Sequence, residues 1–205
     1  MIGLLDVGMG NLRSVWNAVF QQGFDPRIVS GADDLDGLSH LILPGVGQFA
    51  AAMRQVSERG LLEPVRDFAA SGRPLLGICL GMQLLATSGI EGGLTDGFNL
   101  IPGTVRHLPT NYGLRLPHVG WNSAMLRKPH PVLEGIKPDR DFYFVHSYAF
   151  YSVNQDHVLA ETDYGALFAS IVGRDNVIGL QFHPEKSQIN GLHLIENFCN
   201  WNGAC

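Results

Sequence analysis

The chain has 205 residues, 45% of them hydrophobic and 16% charged, with Lys+Arg 14 against Asp+Glu 19 and a formal net charge of −5. A chain this long can bury roughly 70% of its unfolded surface, which excludes disorder as its main state and removes the need for covalent staples. An acidic balance without a Lys/Arg cluster argues against a protein that coats nucleic acid or an anionic membrane.

The first third reads as strand and helix in alternation. Ile2 to Leu5 is a short apolar run ending at Asp6 and Gly8. Leu12, Val15, Trp16, Val19 and Phe20 follow on one helical face, and Gly23 stops that helix. Leu41 to Leu43 forms a second run closed by Pro44-Gly45. Phe49, Met53 and Val56 make another helical stripe, and Leu61 to Ala70 repeats the pattern. Pro74 opens a third run, Leu75 to Cys79, with a helix-like stretch at Leu80 to Thr87. The later half reads as strands at Thr104–His107, Asp141–Tyr148, His157–Glu161 and Leu167–Val172. Arg174-Asp175-Asn176 turns into a hairpin strand, Val177 to Phe182, and Ile189, Leu192, Ile195 and Phe198 mark a last helix. The pattern predicts one α/β domain over 1–205, with a central, mostly parallel sheet and helices on both faces.

Three cysteines, at 79, 199 and 205, suit neither a disulfide framework nor a zinc site. No apolar run approaches the ~20 residues of a membrane helix, and Met1 to Asp6 lacks the basic start of a signal peptide. The expectation is a soluble, cytoplasmic protein with no metal and no cofactor; Cys199 and Cys205 read as structural.

Gly77-Ile78-Cys79-Leu80-Gly81 is a G-x-C-x-G sequence at a strand-to-helix junction. It has the form of a nucleophile elbow: a sharp turn needs small neighbours, the helix start favours thiolate, and the Leu80 N–H can meet an oxyanion. A buried core cysteine between packing glycines is the other reading. His183-Pro184-Glu185 adds a base and its orienter. Pro184 biases His183 to extended backbone, where residues i and i+2 share a face, so Glu185 can hold one ring nitrogen and leave the other free. A surface His beside a surface acid is the alternative. Cys79 and His183 at the ends of two strands make Cys-His-Glu the economical reading. Gly45, Val46 and Gly47 after the second run suit backbone donors opposite Cys79. The G-x-G-x-x-A match there lacks an acid ending a second strand, and nucleotide binding is unsupported.

Together Cys79, His183-Pro184-Glu185 and the Pro44–Gly47 turn resemble a class I (triad) glutamine amidotransferase. Asp6 to Ser14, Cys79 to Gln83, Pro117 to Asn122, Tyr143 to Tyr148 and Phe182 to Gln188 resemble, within that family, the glutaminase subunits of imidazole glycerol phosphate synthases, from histidine biosynthesis. Val7 stands where those subunits usually have Tyr.

The resemblance implies a flavodoxin-like, three-layer fold and hydrolysis of L-glutamine through a Cys79 thioester. It implies Leu80 and the Gly45–Gly47 turn at the oxyanion, and Gln83, Ser147 and Tyr148 around the glutamine. It implies a heterodimer with a (β/α)₈-barrel cyclase that consumes the ammonia, with Asn11, Trp121 and Lys186 at the interface; by itself an exposed Trp is a common anchor and a buried core Trp equally ordinary. A stand-alone γ-glutamyl-type cysteine hydrolase, an inactive binding module and the glutaminase of another amidotransferase pathway are the alternatives.

Overall fold

A computed structural model describes residues 1–8, 10–109 and 113–204; Met9 of the Gly8–Gly10 pair and Cys205 lie outside the described residues. The first part alternates as the periodicity predicts, with the addition of one strand, Pro26–Val29, which no apolar run announces: β1 (Ile2–Leu5), α1 (Leu12–Gln21), β2 (Pro26–Val29), β3 (His40–Gly45), α2 (Phe49–Glu58), α3 (Leu62–Ala70), β4 (Leu75–Cys79) and α4 (Leu80–Leu84). Two short strands, β5 (Ser88–Gly89) and β6 (Thr95–Asp96), precede β7 (Gly103–His107), β8 (His118–Leu126), β9 (Arg140–His146) and β10 (Tyr148–Ser152). The chain closes with β11 (Val158–Asp163), β12 (Leu167–Arg174), β13 (Val177–Leu180) and α5 (Gln188–Asn200).

Nine strands form a mixed sheet in the order β2-β1-β3-β4-β13-β12-β11-β8-β9. The run from β2 to β13 is parallel, and every pairing beyond β13 is antiparallel. Alternating side chains of the parallel strands feed two separate cores. Leu4, Ile42, Leu76 and Ile78 pack with Val15 and Val19 of α1 and with Leu194, Ile195 and Phe198 of α5. Leu5, Leu41, Leu43 and Leu75 pack on the other face with Phe49 and Val56 of α2 and Val65 and Phe68 of α3. Helices therefore cover both faces, in three layers. No helix of the described residues is long and apolar enough to cross a membrane.

Four details depart from the sequence reading, each for a physical reason. Strand β3 does not stop at Leu43 but runs through Pro44 to Gly45. Beyond Ile42 it pairs only with β4, so Pro44 sits where one side of the strand is open and its missing N–H costs no ladder bond. Helix α4 ends at Leu84 rather than Thr87, because the carbonyls of Leu84, Leu85 and Ala86 accept N–H groups of Phe98, Leu100 and Asn99. The run Asp141–Tyr148 is two strands: β9 pairs with β8, while β10 pairs with β7 in a second sheet ordered β10-β7-β5-β6. Ser147 is the point where the chain changes sheets. Strand β8 carries no apolar run to announce it, since its side chains alternate around Gly120 between the core and solvent.

Candidate active site

Strand β4 delivers Cys79 at the centre of the sheet, between β3 and β13. The turn into α4 holds Cys79 at φ 54°, in the left-handed region a side chain rarely occupies. The flanking glycines are required by close approach: a Cβ at Gly77 would stand 2.6 Å from Gly81 backbone, and one at Gly81 would overlap the Leu43 carbonyl. Helix α4 is only five residues long. The expected help from a helix dipole therefore reduces to the few N–H groups of one turn.

The strand β13 ends at Leu180, and His183 follows on a short extended link before the single turn Pro184–Lys186. His183 Nδ1 lies 2.8 Å from Glu185 Oε1, with the side chains 2% and 0% exposed. Asn11 Nδ2 donates to the same oxygen at 3.3 Å. Ser187 braces the segment: its Oγ donates to the His183 carbonyl and accepts the Tyr143 N–H. His183 Nε2 is buried with no nitrogen or oxygen partner among the described residues, which leaves its proton for the Cys79 sulfur. Burial opposes a charge on His183, but the Cys79 sulfur and the Glu185 carboxylate outweigh it and raise the ring to about 10.

Cys79 opens into a cavity of about 260 Å³, walled by Val46, Gly47 and Leu80 on one side and by His146, Ser147 and Tyr148 on the other. Gly45 lies opposite Cys79 in the β3–β4 register, and Gly47 has φ 113°. Gln83 also lines the cavity, but its Nε2 is committed to the Tyr148 carbonyl at 2.9 Å and to Gln181 Oε1 at 3.1 Å. Its amide oxygen remains for a ligand.

Three lining residues escaped the sequence reading: Glu91, Val145 and His146. Glu91, in the Gly92-Gly93 turn, lines the cavity and accepts the Phe49 N–H at 2.9 Å; burial raises its carboxyl, and that hydrogen bond opposes the rise. No periodicity marks an acid in a turn. His146 shares the wall, and burial lowers it to about 3. A roomier groove of about 680 Å³, along Leu126–Glu134, is lined by none of Cys79, His183 and Glu185.

The predicted interface residues gather beside His183. Trp121 is 48% exposed and packs edge-on against Tyr143, and Lys186 stands over the same ring. Exposed Val119 lies two residues along β8. Asn11 belongs to this face, but its amide serves Glu185 rather than capping α1.

A chain with this fold and this constellation has many relatives. The family description "Glutamine amidotransferase class-I" matches residues 4–201. The imidazole glycerol phosphate synthase subunit HisH of Desulfitobacterium hafniense (strain DSM 10664 / DCB-2) is 47% identical over 98% of this chain and 94% of its own. The protein of the same name from Caldanaerobacter subterraneus subsp. tengcongensis is 46% identical over 97% of each chain. Among solved structures, a glutamine amidotransferase superposes with a TM-score of 0.75 at 23% identity over 97% of this chain and 98% of the other. PurLQS from Thermotoga maritima gives 0.73 at 19% identity over 97% of each. At those identities the structures speak for the fold.

Proposed function

Since the chain belongs to the class-I glutamine amidotransferase family, we propose that it is the glutaminase subunit of an imidazole glycerol phosphate synthase, with Cys79, His183 and Glu185 as its catalytic triad. The observation that carries the reading is the join between Cys79 and His183-Glu185. A strained, buried thiol opens on a small cavity, and the adjacent imidazole has one nitrogen held at 2.8 Å by a buried carboxylate and the other left for the sulfur.

The chemistry follows from that geometry. The Cys79 thiolate attacks the side-chain amide carbon of glutamine, and the carbonyl electrons move to oxygen. Leu80 and the Gly45–Gly47 segment border the sulfur, and their N–H groups are the available oxyanion donors; losing one such donor costs roughly 10²–10³ in rate. Protonated His183 gives its proton to the departing nitrogen, ammonia leaves, and a glutamyl thioester remains. Water then attacks the thioester as His183 takes its proton, and glutamate is released with the thiolate restored. Glu91, which lines the cavity with Cys79, is the carboxylate that suits the substrate's α-ammonium. Drug-sized ligands fill roughly 300–1,000 Å³. A cavity of about 260 Å³ has room for free glutamine.

The ammonia needs an acceptor, and the partner is the barrel cyclase. It docks on the face of Trp121, Tyr143 and Lys186, where an exposed Trp beside a long cation makes a suitable anchor. The test is glutamate release by the chain alone and with a barrel cyclase plus its ribonucleotide ligand. Weak release alone, strongly raised by the liganded partner and lost by at least about 10³-fold in Cys79→Ala, is the expected result. Full activity without a partner would instead mark a stand-alone hydrolase.

A further inference from the structure

Behind Cys79, away from the open cavity, lies one more group with chemistry to offer. Gln181 follows β13 directly, is 0% exposed, and places its side-chain Nε2 at 3.9 Å from Cys79 Sγ. Sulfur is a large and weak acceptor, so such contacts run longer than those to oxygen. The two ends of an amide have the same shape, so the atom facing sulfur must be argued from its neighbours.

The Tyr148 carbonyl only accepts. Gln83 Nε2 and His146 Nδ1 approach it at 2.9 and 2.8 Å, so both donate. Gln83 therefore turns an N–H toward Gln181 as well, and the atom it meets there is Oε1, at 3.1 Å. The NH₂ of Gln181 is left for the sulfur. The imidazole side closes in the same sense. With Nδ1 protonated, neutral His146 keeps a lone pair on Nε2, which accepts the Nδ1–H of His118 at 3.0 Å. His118 Nε2 in turn accepts from Asn122 Nδ2 at 3.3 Å, and Asn122 also donates to the Asp163 carbonyl. Burial lowers His118 to about 4 and His146 to about 3, so both rings are neutral at neutral pH, as this pattern requires.

We infer that Gln181 is a catalytic residue whose amide N–H, locked in direction by Gln83 and the Tyr148 carbonyl, stabilises the thiolate form of Cys79. The inference rests on Cys79 being the nucleophile. As a thiol, Sγ can donate to the Val145 carbonyl at 3.9 Å; as a thiolate it accepts from Gln181 as well as facing protonated His183. Charge sits on sulfur before the C–S bond forms. It returns when that bond breaks during hydrolysis and the electron pair goes back to Sγ. The donor therefore acts at both ends of the cycle and has little to hold in the neutral thioester.

The experiment is the rate of iodoacetamide alkylation at Cys79 against pH, read by peptide mass, in wild type, Gln181→Met and Gln181→Asn. Glutamine turnover with the liganded cyclase and thermal unfolding are measured alongside. The other titratable groups near the sulfur are His183 with Glu185 behind it, His146, Tyr148 and Glu91, and all are retained. Gln181→Met should move the alkylation midpoint up by about half a pH unit or more and lower kcat roughly tenfold with KM little changed. Gln181→Asn withdraws the amide by one methylene while keeping a polar interior. It should show the same shift, and it decides the matter if the Met variant does not fold. Alkylation profiles that superpose on wild type would overturn the inference, and a fall in kcat on its own would then mark Gln181 as packing. Failure of the underlying reading has another signature: no turnover by wild type, or turnover that survives Cys79→Ala.

Discussion

The two halves of the large sheet solve different problems. In the parallel half β1, β4 and β13 are buried at every residue, and their apolar side chains fill cores on both faces. In the antiparallel half β12 is still buried from Phe168 to Gly173, but at the far edge β9 alternates, with Phe142, Phe144 and His146 inward and the residues between them more exposed, and β8 carries the polar side chains of His118, Asn122 and Ser123. The buried half aims one atom, Cys79 Sγ, from a strand of wholly apolar neighbours, Leu75 to Ile78. The alternating half and the second sheet supply the polar wall that a substrate meets. The site forms where they abut, at Cys79 on one side and the Ser147 sheet change on the other. Rigid aim and polar recognition thus come from strands with different sequence grammars.

If the halves divide labour in this way, faults at their ends should be read in rate, and faults inside the parallel half in stability. The largest effect is expected just past β13. Glu185→Gln keeps the shape but can present an N–H to His183 Nδ1, which places the ring proton on Nε2 and removes the base. Glutamine turnover should fall about 10³–10⁴-fold while the unfolding midpoint in urea moves little. A drop below tenfold would mean that Glu185 only fills space.

Next in size is Gly81→Ala. A Cβ there meets the Leu43 carbonyl of β3, which is backbone and cannot rotate away. The expected cost is about 3 kcal/mol of unfolding free energy, from overpacking, measured by denaturant titration. On the alternating half, exposed Val119→Ala should cost under about 0.5 kcal/mol. Similar costs for the two substitutions would break the comparison.

The same division explains what the sequence made legible. Buried parallel strands and the helices between them announce themselves as apolar runs and periodic stripes, so β1, β3, β4, α1, α2, α3 and α5 could be placed from the residues alone. Cys79, His183 and Glu185 could be singled out as candidates because Pro184 and the two glycines constrain backbone locally, at Cys79 and at His183. Strand β8 was not, since Gly120, Trp121, Asn122 and Ser123 carry no apolar run and its order comes from pairing with β9. Nor was the break at Ser147, because the apolar pattern of Asp141 to Tyr148 continues through it and only the partner strand changes. Glu91 and Gln181 were missed for a third reason. Their meaning lies in what they touch across the fold, Phe49 N–H and Cys79 Sγ, and no spacing along the chain encodes those contacts.

The remaining effect expected here is a pH dependence of stability to which the antiparallel half contributes two buried rings. His118 on β8 and His146 on β9 are buried against each other, and burial lowers them to about 4 and about 3. In the unfolded chain both titrate near 6.5. The folded values lie below the unfolded ones, so between pH 6.5 and 4 the unfolded state binds more protons. Their contribution is complete above pH 6.5 and is lost as pH falls toward 4, at up to about 1.4 kcal/mol per pH unit for each ring. His130, lowered to about 4 by burial beside Trp201, adds to the same slope from outside the pair. The measurement is urea unfolding at pH 7 and pH 5 for wild type and for His118→Gln, which removes one titrating ring and retains a polar side chain. Wild type should lose stability over that interval, and the variant should lose less, although it starts lower because its ring no longer stacks on Tyr164 and Phe144. Equal slopes would show that the pair takes up protons in the folded protein as readily as in the unfolded one. The polar wall would then tolerate charge, and the directional chain from Asn122 to the Tyr148 carbonyl would lose its fixed sense below pH 6.5.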